Sequence, residues 1–257
     1  MQRRPMTYRK ERRDAPVGFF QAEACGLRWL AEAEPAGGTR VVRVHEVGEQ
    51  FIDVEQVRAV APTRQAADAF GKSLAVLHTA GAAAFGTPPE GWHGPSWIGR
   101  QPQANEPEPT WGRFYAEQRV RPFVHAAERA GHLGTRAADQ LDDLCDRISG
   151  GEFDDDRAPA RLHGDLWSGN VVHAPDGVCL IDPAAHGGHG MTDLAMLMLF
   201  GLPGLDRVLD SYAEAAALPT GWRDLVGLHQ LHPLAVHAVT HGRSYGEELV
   251  AVARRYR

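Results

Sequence analysis

Residues 161–182 hold a pattern that few folds accommodate. Arg161-Leu162-His163 leads into a polar loop, Gly164-Asp165-Leu166-Trp167-Ser168-Gly169-Asn170, and Val171-Val172-His173 leads out of it. Ala174-Pro175-Asp176-Gly177 then has the composition of a turn, before the apolar run Val178-Cys179-Leu180-Ile181 and Asp182. A hairpin of this kind brings Asp165, Asn170 and Asp182 close together.

Two carboxylates and an amide oxygen at that spacing suit phosphoryl transfer from a metal-nucleotide. The transferred group needs an acceptor oxygen in line with the leaving oxygen and Mg²⁺ on the phosphates. One carboxylate faces the acceptor hydroxyl, the role assigned to Asp165. Asn170 turns to the other side of the loop and Asp182 ends the next strand, so these two hold the metal. Mg²⁺ takes hard oxygen donors and keeps several waters, so two protein oxygens plus phosphates are sufficient. The carboxylate is a weak base toward an alcohol, and positioning should dominate over proton removal.

The rest of the chain is ordinary globular material. Its 257 residues are 43% hydrophobic and 23% charged, with length for one large domain or two lobes. A net charge of −6 supplies no basic field for nucleic acid or an anionic membrane. Cys25, Cys145 and Cys179 show no paired spacing, which fits a reducing cytoplasm and neither a disulfide framework nor a thiolate zinc site. Met1-Gln2-Arg3-Arg4-Pro5 is basic but no leader-length apolar run follows it, and no later stretch is long and apolar enough to span a bilayer.

Periodicity predicts a strand at Thr7 to Lys10, a helix from Phe19 to Glu32, and two strands, Arg40 to His45 and Gln50 to Val57, forming a small sheet backed by that helix. Ala61-Pro62-Thr63 marks a boundary, with Thr63 capping a helix that carries Ala66, Phe70, Leu74 and Leu77. Residues 86–109 are rich in Gly, Pro and Trp, lack either period, and read as a long substrate-contacting loop. Helices are expected at 110–130, 135–149, 192–200, 205–216, 222–241 and 247–256. Asp154-Asp155-Asp156 reads as a solvated loop.

These residues resemble the fructosamine kinase, or ketosamine kinase, family. The likeness lies in Leu162 to Asn170, Ile181-Asp182-Pro183-Ala184, Gly188-His189, Asp193 to Met196 and Leu199-Phe200-Gly201. It extends to Leu77-His78, Ile98-Gly99, Gln103, Asn105, Trp111 and Phe114, and so runs from about Phe19 to the C-terminus. The Asp-to-Asn signature alone marks a whole superfamily; Trp167-Ser168-Gly169 and the segment from Ile98 to Trp111 narrow it.

The resemblance implies an α+β, two-lobed protein-kinase-like fold of the aminoglycoside-phosphotransferase type. Residues 1–60 would form a small nucleotide-binding lobe and 61–257 a larger, mainly helical catalytic lobe. It implies transfer of the ATP γ-phosphate, with Mg²⁺, to the 3-hydroxyl of a ketoamine on a small amine or a protein lysine, which makes the adduct labile. Lys10 would hold the ATP phosphates and pair with Glu23, and Glu55 to Val57 would be the hinge at adenine. His163 would order the loop backbone and Asp193 brace its amides. A cytoplasmic monomer is expected. The family pattern places two strands and a glycine-containing phosphate loop before the lysine, whereas nine residues precede Lys10 here and none is glycine. Either Met1 is a mis-assigned start, or the chain is a shortened kinase in which loss of that loop weakens ATP binding or slows transfer. Met191, where the family often has an acidic residue, is a second departure.

Several residues keep two readings. Trp92, Trp97 and Trp111 stack on a sugar or fill a groove; Trp167 joins them as a substrate candidate from the family-specific insertion. Gln103 and Asn105 hydrogen-bond the sugar or order their loop. His237 and His241 have the i, i+4 spacing of zinc ligands, but no glutamate completes a hydrolase motif and no zinc is expected. The competing functions are a kinase for another hydroxylated amine, of aminoglycoside or choline type, and a truncated nucleotide binder without catalysis. A metal-dependent phosphoesterase is disfavoured because Val171, and not a histidine, follows Gly169-Asn170.

Overall fold

In the computed structural model, which describes residues 6–256, a three-stranded antiparallel sheet opens the chain. Strand β1 (Thr7–Glu11) and strand β3 (Val44–Val47) flank the central strand β4 (Phe51–Glu55). Met1–Pro5 lie outside the described residues. The two-residue alternation of a strand sends Arg9 to one face, where it forms a bidentate pair with Asp53 at 2.6 Å on both oxygens, and Lys10 to the other. That second face meets helix α1 (Phe19–Ala31), whose buried residues Phe20, Ala24, Leu27 and Leu30 follow a helical stripe. The sequence placed Phe19 and Ala22 in this stripe; both are only partly buried, one position off the core-facing side.

The strand expected at Arg40 to His45 is two strands. Arg40–Val41 forms β2, which leaves the first sheet and runs parallel to β9 (Gly177–Leu180); β9 in turn pairs antiparallel with β8 (Val171–Ala174). Burial explains the split. Val41 and Val42 are both buried, as parallel strands require, whereas Val44–Val47 is half-buried at its ends and exposed at its centre. The N-terminal segment is thereby hydrogen-bonded to the hairpin that follows the polar loop.

Thr63 caps helix α2 (Arg64–Thr79) through a bond from Ala66 N to its Oγ1 at 3.1 Å, as the sequence predicts. Helix α2 packs on α7 (Leu205–Ala215) with Gly71 at the crossing. The region 86–109 is not a structureless loop: Ser96–Ile98 (β5) and Gln101–Gln103 (β6) form a hairpin over Gly99-Arg100. Its strands are only three residues long, too short for a period to register. The helix expected from Thr110 to Ala130 is one rod in three parts, α3 (Trp111–Phe114), a π-turn over Tyr115–Val120, and α4 (Arg121–Arg129). Asp154 of the presumed solvated loop is half-buried and accepts a bond from Gly112 N at 2.7 Å at the start of that rod.

Helices α5 (Thr135–Ser149), α6 (Met191–Phe200), α8 (Val226–His241) and α9 (Arg243–Ala253) complete the larger lobe. The short strands β7 (Ala160–Leu162) and β10 (His186–Gly188) pair beneath the polar loop. Two apolar clusters result. One joins α1, the small sheet, α2, α7 and the β8–β9 hairpin; the other joins α3, α4, α5, α8 and α9. The polar loop lies where the two meet. Among the described residues no helix is long and apolar enough to cross a membrane.

Candidate active site

The loop between β7 and β8 is shaped by its glycines. Gly164 has φ +80°, and a Cβ there would sit 2.2 Å from the carbonyl oxygen of Ala184, so His-Gly-Asp needs glycine in the middle. At Gly169 a Cβ would sit 2.3 Å from the Trp167 ring, which explains the Trp-Ser-Gly spacing. Asp182 adopts φ +54°, a conformation costly outside glycine and concentrated at functional sites.

These turns bring the sequence candidates together. Asn170 Nδ2 donates to the backbone oxygen of Asp165 at 2.8 Å, to Asp165 Oδ2 at 3.3 Å and to the backbone oxygen of Asp182 at 3.4 Å. With the donor half of the amide committed there, the acceptor half remains for a cation. Lys10 Nζ lies 2.8 Å from both Glu23 oxygens and 3.0 Å from Asp182 Oδ1. Burial disfavours the ammonium, but the two carboxylates outweigh it and raise its pKa, so Lys10 stays charged. Burial likewise raises the pKa of Asp165, with partial relief from His163 and from the Asn170 hydrogen bond. The donor set fits Mg²⁺: an amide oxygen and a carboxylate, both hard, supply two ligands and leave the remaining positions to phosphates and water. Among the described residues no group of three His, Cys, Asp or Glu could hold a metal.

His163 is buried, and both its nitrogens face the backbone. Nε2 lies 2.8 Å from the Ile181 carbonyl oxygen, and Nδ1 accepts from Asp165 N at 3.3 Å. Asp193 accepts from His163 N at 2.8 Å and Gly164 N at 3.0 Å. It also meets His78 Nε2 at 3.1 Å, and His78 Nδ1 lies 2.7 Å from the Tyr212 hydroxyl. Burial opposes the Asp193 charge, yet its hydrogen bonds and the facing His78 hold its pKa below the ordinary value. Sequence reasoning noticed His78 only as a matching residue and missed Tyr212. Their spacing from the loop carries no local signal.

Lys10, Glu23, Trp97, Gln103, Asn105, Asp165, Trp167, Asn170 and Asp182 all line one cavity of about 400 Å³. Both polar atoms of the Gln103 side chain are buried there without a partner, an arrangement that calls for a ligand. Asn105, in contrast, is engaged, donating to Ser96 Oγ at 3.1 Å and accepting from Arg119 Nη2 at 2.5 Å. Trp97 packs edge-on against Phe19 at 5.3 Å, and Trp167 is 43% exposed. Trp111 is buried and stacks on Tyr115 at 4.8 Å, a core residue. Glu55 and Val57 do not line the cavity. Glu55 pairs with Arg40, and the Glu55 and Gln56 amides donate at 2.8 Å to Arg43 and Met6 oxygens.

Comparison with known proteins agrees with this architecture. The model of the fructosamine kinase family matches residues 6–256. A candidate ketoamine kinase of Thermus thermophilus is 32% identical over 238 residues, covering 92% of this chain and 82% of that protein. The crystal structure of a candidate fructosamine-3-kinase from Thermobifida fusca superposes with TM-score 0.89 at 43% identity, over 98% of this chain and 85% of that one. An aminoglycoside phosphotransferase solved with ADP and hygromycin B shares the fold at TM-score 0.59 and 13% identity, over 91% of this chain and 83% of that one. A helical lobe and a small sheet meet at a lysine, two aspartates and an asparagine, and the chain belongs to the fructosamine kinase family, an ATP-dependent phosphotransferase of the protein-kinase-like fold.

Proposed function

We propose that the protein phosphorylates the 3-hydroxyl of ketoamines, sugar adducts on small amines or protein lysines, and so marks them for breakdown. The observation that supports this most is the Lys10 ammonium lying between Glu23 and Asp182, beside a loop that aims Asp165 and Asn170 into the same cavity. Residues 1–60 act as the nucleotide lobe and 61–257 as the catalytic lobe. Lys10 holds the ATP phosphates and Glu23 fixes its side chain; the Val57 amide meets adenine. Asn170 and Asp182 hold Mg²⁺, which when bound neutralises phosphate charge. Asp165 accepts the acceptor hydroxyl's hydrogen bond and aligns its oxygen with the γ-phosphorus. That oxygen forms the new P–O bond as the bond to ADP breaks, and the hydroxyl proton leaves by way of the Asp165 carboxylate. Gln103 is the sugar's hydrogen-bonding partner, and Trp97 and Trp167 flank it, while Asn105 orders the β5–β6 hairpin.

The reading takes the enzyme as a cytoplasmic monomer. Its three cysteines are free, and the large exposed hydrophobic side chains among the described residues are Met6, Tyr8, Val17, Val60 and Trp167. The decisive experiment is Asp165→Asn assayed with a fructosamine. ADP release should fall to background while calorimetric ATP binding persists, and substantial turnover by this variant would remove Asp165 from its role.

A further inference from the structure

Asp165 and Trp167 also line a second cavity, of about 710 Å³, bounded by the β5–β6 turn and by α6, α8 and α9. Small-molecule sites span roughly 300–1,000 Å³, so this cleft has room for an acceptor that extends beyond its sugar. Its far wall is a run of neighbouring rings, one pair stacked and the others tilted. Phe200 lies 4.7 Å from His237, and His237 lies 4.8 Å from His241 at an interplanar angle of 15° and 5.0 Å from Tyr245. Trp167 closes the near side.

Charge is sparse in this lining. Its carboxylate is Asp165 and its permanent cation is Arg100, which stands at the hairpin tip. His237 Nδ1 is tied to the Pro233 carbonyl oxygen at 2.8 Å, and burial lowers the His237 pKa, so the centre of the wall is uncharged at neutral pH. An acceptor carrying several ammonium groups loses their hydration on entry and needs a carboxylate for each. The cleft offers one, already engaged at the acceptor hydroxyl. Flat rings, in contrast, gain from stacking on rings.

We propose that this cleft seats the amine portion of the ketoamine and selects aromatic amines over polycationic ones. The inference rests on the ketoamine kinase reading above. It is tested by comparing kcat/KM for the fructose adducts of methylamine, benzylamine and spermidine with the intact enzyme. The benzylamine adduct should exceed the methylamine adduct at least tenfold, and the spermidine adduct should fall below both. In Tyr245→Ala, and in the milder Phe200→Leu, the benzylamine-to-methylamine ratio should drop at least fivefold. Equal values for the methylamine and benzylamine adducts, a preferred spermidine adduct, or a ratio unmoved in both variants would overturn this inference alone. No turnover of any of the three overturns the proposed function, and the inference with it.

Discussion

Asp193→Asn tests whether the loop carrying Asp165 is held in place by a buried charge. The Asp193 carboxylate is 1% exposed and faces three groups, the amides of His163 and Gly164 and the imidazole of His78, at 2.8, 3.0 and 3.1 Å. Asparagine keeps the shape but replaces one acceptor oxygen with an NH₂ that points at donors. Hydrogen bonds to a charged group contribute about 1.5–3 kcal/mol each, and an orphaned buried donor costs about 1–3 kcal/mol. Breaking a buried charged network by changing one member typically costs about 3–5 kcal/mol. For a chain of this size that corresponds to a fall in Tm of roughly 6–20 °C. Because His163 and Gly164 carry Asp165, kcat should drop about tenfold or more, a loss of ~1.4 kcal/mol in transition-state stabilisation. The pH dependence follows from the depressed pKa of Asp193. Its contribution is fully present above the unfolded carboxylate value of about 4 and is lost as pH falls through the lower folded value. Calorimetric melting of both proteins from pH 7 downward should therefore show a Tm gap that narrows only in the acid range. A variant melting within about 2 °C of the parent at pH 7 with kcat unchanged would refute the argument, given the sensitivity expected of such a site.

Lys10→Met should raise KM for ATP and lower kcat by at least about a hundredfold, as expected when a transition-state charge contact is removed; steady-state kinetics at wild-type rate would dismiss the Lys10 assignment. Burial raises the Asp165 pKa, and the reaction needs the carboxylate, so activity is retained above that pKa and lost as pH falls through it. The acid limb of the kcat/KM profile should lie above the ordinary carboxylate value of about 4, and a limb at or below that value contradicts the assignment. Gly71→Ala places a Cβ 2.3 Å from the Val208 carbonyl oxygen, so the α2–α7 packing must open at a cost of about 1–3 kcal/mol. A lower Tm with unchanged KM for ATP is expected, and an unchanged Tm would show that the two helices separate freely.

The legible parts of this molecule are those whose cause is local. Thr63 caps α2 three residues away, Gly164 and Gly169 shape an eight-residue loop, and the turn at 174–177 fixes the hairpin that ends at Asp182. Each is specified by neighbours in sequence, so spacing alone brought Asp165, Asn170 and Asp182 together. What stayed hidden depends on pairings across long stretches of chain. Arg40–Val41 was assigned to the wrong sheet because its partner, Cys179–Leu180, lies far downstream. Trp111 is a candidate sugar platform in the sequence and core in the structure, since His229, far downstream, packs against it with ring centroids 4.6 Å apart. The line from Tyr212 through His78 to Asp193 links α7, α2 and α6 to the loop. Neither α7 nor α2 touches substrate in the proposed reaction, and Asp193 of α6 faces away from it onto the loop amides. Their bearing on it is geometric: two backbone amides can present Asp165 at a fixed angle only if the carboxylate beneath them is itself fixed. The reacting residues are thus written in one short motif, while the rigidity they need is distributed over helices that lie outside it in sequence.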